Sequence, residues 1–198
     1  MDIFDLMWTR RSIRKYQDRQ IPRQALEQVL RAGSWAPNAG GGQRTMLVGL
    51  RDRTLVERLG RVNAACMDRS RLLGGHVSAE QPSIIVIDDP AIKSGFYGAP
   101  AVCAVFAPEN FLYSIPDAFC CAENMVLAAT GLGLASCIVA RGEETFDNSL
   151  GRELMKGWGV PEGWKARCFV LLGYCAGDYP APKARRAGRV LIIDGEER

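Results

Sequence analysis

The chain has 198 residues, 47% of them hydrophobic and 24% charged, which suits one folded domain over 1–198 with a substantial core and excludes a disordered or fibrous chain. A formal net charge of +3 gives no ground for a nucleic-acid or membrane partner. No stretch is long and apolar enough to span a bilayer, and the first residues lack the basic start and apolar run of a secretion signal, so a cytoplasmic protein is expected.

Asp2 and Asp5 favour the start of a first helix, with Ile3, Leu6 and Met7 on one apolar stripe. It runs into a basic cluster, Arg10-Arg11-Ser12-Ile13-Arg14-Lys15-Tyr16. A second helix begins near Pro22, buries Leu26, Val29 and Leu30, and is expected to end at Gly33. The breaker Ala36-Pro37-Asn38-Ala39-Gly40-Gly41-Gly42-Gln43 precedes a strand from about Thr45 to Leu50. Residues near Thr54 to Leu72 read as a polar-faced helix, Ile84 to Ile87 as a short strand, and Ala101 to Phe106 as a central strand. Asp117 to Thr130 is apolar nearly all round, so that helix must be covered on every side or lie in a subunit interface.

After the Gly131-Leu132-Gly133 turn, a strand is expected over Ala135 to Ala140, a helix around Phe146 to Met155 and a strand around Ala166 to Leu172. A tail rich in Pro, Ala and basic residues leads to a last strand, Val190 to Ile193. Helices and strands mix without a regular βαβ rhythm, which favours α+β over a doubly wound sheet.

Most catalytic motifs fail. Seven cysteines lie mostly within apolar runs and form no Cys-x-x-Cys pair, as free thiols in a reducing compartment do. His76 is the single histidine, too few for the usual zinc ligand sets and a poor basis for a nucleophile–histidine pair; no metal is expected. Gly131-x-Gly133-x-x-Ser136 is like a dinucleotide fingerprint, but it follows a helix and precedes a strand, the reverse of what the pyrophosphate needs. No Gly-Lys-Ser/Thr of a phosphate loop occurs.

The motifs that remain stand in a fixed order: the arginine cluster from Arg10, the Ala36 to Gln43 stretch, Phe96-Tyr97-Gly98-Ala99-Pro100, Asp117 to Asn124, Gly131-Leu132-Gly133, Leu172-Gly173-Tyr174 and Lys183-x-Arg185. In that order they resemble the FMN-dependent nitroreductase family along nearly the whole chain. The resemblance implies an α+β, three-layer fold with a central, mostly antiparallel sheet flanked by helices. It also implies a homodimer with a domain-swapped C-terminal tail and FMN at the interface. The activity implied is an oxidoreductase working by ping-pong hydride transfer: NADH or NADPH reduces the flavin at N5, and a small organic acceptor such as a nitroaromatic or quinone reoxidises it. No catalytic side chain is then required.

By the same resemblance Arg10, Arg11 and Ser12 hold the FMN phosphate, and Lys183 and Arg185 reach it from the tail. Forked guanidinium donors and a hydroxyl suit a phosphate dianion. Arg14 faces the flavin edge that gains negative charge on reduction. Pro37, Asn38, Ala39 and Gln43 line the pyrimidine and ribityl side, and Cys137, Ile138 and Val139 pack near the other edge, with Cys137 read as packing. The chain departs from the family at Asn38-Ala39, Gly41 and Arg44-Thr45, which bears on substrate choice. Other reactions of relatives (dehalogenation, azoline oxidation, flavin fragmentation) and a flavin- or nucleotide-binding sensor without turnover remain alternatives.

Overall fold

The computed structural model describes residues 2–66 and 91–193. The expected strand Ile84 to Ile87 and His76 lie outside them. Helix α1 (Ile3–Thr9) opens with a full capping box: the Asp2 side chain accepts from the Asp5 N–H, and Asp5 accepts from the Asp2 N–H. Helix α2 (Arg23–Ser34) starts at Pro22 and buries Leu26 and Val29 as the pattern predicts. It does not stop at Gly33. That residue lies inside the helix, where an added Cβ would sit 2.7 Å from Met125 Cγ and 3.0 Å from Leu47 Cδ1. Gly33 is a close-packing glycine, and the helix ends one residue later.

A short 3-10 turn (Ala39–Gly41) leads to β1 (Met46–Leu50) and then α3 (Arg53–Ala65), whose N-terminus is capped by Asp52. Strand β2 (Ala101–Pro108) is followed by α4 (Ser114–Gly131), β3 (Ala135–Val139), α5 (Gly142–Phe146), α6 (Ser149–Gly157) and β4 (Trp164–Gly173). The sheet order is β1-β2-β4-β3 and every pairing is antiparallel.

The sheet is the middle of three layers. Ala101, Cys103 and Val105 of β2 and Cys168, Val170 and Leu172 of β4 face α2 and α4. Val102, Ala104, Phe106, Phe169 and Leu171 point the other way, into a cluster completed by Val56, Leu59, Phe96 and Phe146. Two covered faces explain why β2 reads as an unbroken apolar run although the sheet is antiparallel.

Helix α4 leaves through a paired hydrogen-bond cap. The Gly133 N–H (φ 69°) donates to Thr130 O and the Leu134 N–H to Ala129 O. The helix is buried along Ala118, Cys121, Ala122, Met125 and Ala129, but Ile115 and Phe119 are exposed, so one apolar strip is uncovered within this chain. The helix expected around Phe146 to Met155 is two helices, because Asn148 leaves the helical path to cap α6, accepting from the Gly151 N–H at 2.9 Å. Val190 to Ile193 forms no strand in the single chain; those four side chains are 77–84% exposed.

Gly151 lets α6 begin directly on the backbone of Phe146: an added Cβ would lie 2.5 Å from Phe146 Cα and 2.6 Å from its carbonyl carbon. Backbone cannot move aside as a flexible side chain can. Gly151→Ala is therefore expected to destabilise the fold by about 2–3 kcal/mol, whereas Gly157→Ala, which meets nothing within 4 Å, should be neutral or stabilise by roughly 0.5 kcal/mol. Urea unfolding of both variants checks the contrast.

Candidate functional site

The basic segment after α1 is laid along the edge of the sheet. Ser12 bridges to Ser136 of β3 in parallel, and the Ile13 N–H donates to Ser136 O at 2.8 Å. Further on, Tyr16 bridges to Cys175, the Gln17 N–H donates to Tyr174 O at 2.9 Å, and the Ala176 N–H donates to Lys15 O at 3.0 Å. The first residues of the tail thus run beside the segment, and Tyr179 reaches back to accept from the Arg11 N–H at 3.0 Å.

This pinning gathers Arg10, Ser12 and Arg14 around Cys137. Burial pushes the Cys137 thiol above its ordinary value, opposed by the Arg14 charge, a hydrogen bond with Ser12 and the Arg10 charge. At neutral pH the net upward shift keeps the thiol protonated. Arg10 makes one long ion pair, 3.9 Å to a half-exposed Glu123 of α4. Arg14 places its guanidinium 5.9 Å from the centre of the Tyr97 ring. Arg11 is used differently. Its Nη1 donates to the carbonyls of Trp8 and Arg10, both at 2.7 Å, closing the end of α1. Two buried polar atoms at the segment, Arg11 Nε and Ser136 Oγ, have no partner among the described residues.

The second group lies elsewhere in the chain. Pro37, Asn38, Ala39 and Gln43 form a loop tied to the start of α4, where the Ala39 N–H donates to Asp117 Oδ1 at 3.0 Å. Asn38 Oδ1 accepts from the Gln43 N–H at 2.8 Å and holds Gln43 at φ 48°. Asp117 and Glu123 are six residues apart, so the loop and Arg10 attach to α4 about 9 Å apart along its axis. Arg44 folds back over Gly42 and stacks on Phe111, 4.8 Å from guanidinium carbon to ring centre. Lys183 and Arg185 are exposed, and no contact joins them to Arg10 within the described residues.

Beyond Ile138 and Val139, the end of β3 carries a polar node that no motif flags. Asn63 is fully buried; its Nδ2 donates to Thr145 Oγ1 at 2.9 Å and Ala140 O at 3.2 Å, while its Oδ1 accepts from Arg141 Nη2 at 3.0 Å. Asn63 sits on the inner face of α3, where an amide breaks the apolar pattern. That break is the one signal the sequence offers. A cavity of about 540 Å³ lies between α5, α6 and β4 and is lined by Phe146, Met155, Val160 and Trp164. It contains none of the residues expected in the site.

The nitroreductase family model matches residues 8–174, and the chain belongs to that family. A nitroreductase with bound FMN from Bacteroides fragilis is 29% identical, with a TM-score of 0.77 over 98% of this chain and 100% of that one. A second FMN-bound nitroreductase, from Desulfitobacterium hafniense, is 24% identical with a TM-score of 0.75, again over 98% and 100%, and shares the fold. A protein of Archaeoglobus fulgidus, whose name proposes an NADH dehydrogenase or NAD(P)H nitroreductase, is 28% identical over 85% of this chain and 83% of its own length.

The thiols set a pH dependence. Burial raises Cys66 to about 11 and Cys168 to about 12, and it raises Cys103 further. Each is neutral in the fold but ionises near pH 9 once unfolded, so the unfolded state loses protons first. Stability should be level up to about pH 9 and fall from there toward pH 12. Urea melts across that range check it, and Cys168→Ala should make the fall shallower throughout it.

Proposed function

We propose that the chain is an FMN-dependent NAD(P)H oxidoreductase, one FMN-binding domain over 1–198, acting on a small organic acceptor such as a quinone or nitroaromatic. The observation that carries this reading is the pinning of Arg10, Ser12 and Arg14 together against β3. That donor set fits a phosphorylated flavin. Arg10 is only loosely paired, Ser136 Oγ is buried without a partner among the described residues, and the Ser12 hydroxyl meets the Cys137 thiol beside the Arg10 and Arg14 charges. FMN, when bound, supplies the electron transfer between nicotinamide and acceptor.

Arg10 and Ser12 would hold the phosphate, joined from the tail by Lys183 and Arg185. Arg11 would hold the segment's shape through the carbonyls of Trp8 and Arg10 and add its positive charge to the phosphate site. Arg14 would keep a fixed positive charge at the edge of the ring that becomes negative on reduction. Pro37, Asn38, Ala39 and Gln43 would line the pyrimidine and ribityl side, and Cys137, Ile138 and Val139 would pack at the opposite edge. No side-chain acid or base is assigned, and a cytoplasmic setting suits the free thiols.

The family resemblance implies a homodimer with each site built from both subunits. Exposed apolar surface supports this: Trp35 is 77% exposed, Trp8 67% and Ile115 54%. Large apolar side chains left in water are of the type that subunit interfaces cover. The tail from Gly188 would cross to the partner and add Val190 to Ile193 to its sheet, giving an unpaired run its hydrogen bonds.

Steady-state oxidation of NADH and NADPH with a quinone and with a nitroaromatic tests the activity; flavin-loaded protein that turns over neither acceptor contradicts it. Arg10→Ala should weaken FMN binding by about 1.5–3 kcal/mol, the scale of a hydrogen bond to a charged group, and leave riboflavin binding nearly unchanged. Equal weakening of both ligands would make Arg10 structural. Deleting the chain from Gly188 should lower dimer content and FMN occupancy together. A stable, fully flavinated dimer in the ultracentrifuge would remove the tail from the account.

A further inference from the structure

Residues other than glycine that take a left-handed backbone are Gln43, Tyr97 and Arg141 among the described ones. Gln43 is held there by Asn38, and Arg141 opens α5 with its guanidinium on Asn63. Tyr97 is tied only through its backbone, its N–H donating to Ser94 O at 3.1 Å, and no hydrogen bond of its side chain among the described residues requires the conformation. At φ 56° its Cβ crowds the backbone, and Gly98 follows at φ 72°. Asparagine or glycine would relieve that crowding at no loss of any hydrogen bond made by the Tyr97 side chain among the described residues.

The turn itself is fixed from both sides. The Gly95 N–H donates to Gly60 O of α3 at 2.7 Å, and an added Cβ at Gly95 would lie 2.6 Å from Asn63 Oδ1. Phe96 is fully buried with its ring centre 4.8 Å from that of Phe169. Tyr97 at the tip is left half-exposed, with its ring 5.9 Å from the Arg14 guanidinium carbon, inside the range of a cation–ring attraction. Arg14 has no ion pair or side-chain hydrogen bond among the described residues. Strained residues persist where the surroundings over-determine them, and they cluster at functional sites.

We propose that Tyr97 is a positioning residue for Arg14: its ring holds the Arg14 charge in place at the site, so that a bound flavin is easier to reduce. The proposal rests on the FMN reading above. A charge already in position stabilises a developing anion without reorganising first, whereas a mobile surface arginine is screened by water. The strained tyrosine is thus retained for the flavin's potential and not for the fold.

The test compares wild type, Tyr97→Phe, Tyr97→Asn, Arg14→Ala and the Arg14→Ala/Tyr97→Asn double variant, each loaded with FMN, by spectroelectrochemical titration. Tyr97→Asn should shift the balance toward oxidised flavin about threefold, the scale of an exposed cation–ring contact, which is a fall of about 15 mV for a two-electron couple. Tyr97→Phe, which keeps the ring, should match wild type. Arg14→Ala should fall further, and the double variant no further than Arg14→Ala alone. Without flavin, Tyr97→Asn should melt at the same temperature as wild type or higher. A wild type that takes up no FMN overturns the FMN reading and this proposal with it. An unchanged potential in Arg14→Ala overturns the role of Arg14. A shift in Arg14→Ala with none in Tyr97→Asn, or an equal shift in Tyr97→Phe, overturns the role of Tyr97 alone.

Discussion

The hydrogen bond from the Ile13 N–H to Ser136 O, at 2.8 Å, decides where every basic group of the N-terminal cluster can go. Among the described strands β3 is an edge of the sheet, and an edge presents unpaired backbone groups that must be covered. The segment from Ser12 to Gln17 covers it, and the tail through Cys175 and Ala176 covers the segment in turn. A stretch dense in arginine would otherwise be a mobile, solvated arm. Bound by its backbone, it brings Arg10, Ser12 and Arg14 together beside Cys137.

The remaining layers serve that edge. Strand β4 lies between β2 and β3, so the fully buried centre of the sheet fixes the height at which Ser136 meets Ser12. Helix α4 spans the face beneath and carries two attachments, Glu123 near Arg10 and Asp117 at the Ala39 loop. Gly33 allows α2 to press onto Met125, while Gly95 does the same for the Tyr97 turn against α3. Each of these glycines replaces a side chain with contact between elements. Burial around them holds the site rigid; hydrogen bonds at the edge give it direction.

Much of this was legible in the residues. Apolar periodicity located the described helices and strands to within a few positions, because each element has one environment on each face. Where it went astray the cause is tertiary. Gly33 looks like a stop signal, yet it is there to admit Met125. Asn148 breaks an amphipathic run by capping α6, a choice made by one side chain. Val190 to Ile193 is a separate case: its strand is expected on a partner subunit's sheet, and within the single chain it has no strand beside it among the described residues. In the site, the Arg10 to Arg14 cluster was legible because charge types are read directly. Tyr97, Asn63 and Arg141 were not, since backbone strain and a buried amide network exist only once the chain has folded.

The central claim is that the pinned basic segment holds a monophosphorylated flavin. Calorimetric titration of flavin-free protein with FMN, FAD and riboflavin tests it most directly. The account predicts saturation at one FMN per chain, a yellow product that releases FMN on denaturation, and much weaker binding of riboflavin. A protein that takes up no FMN, or that binds riboflavin as tightly as FMN, would contradict it.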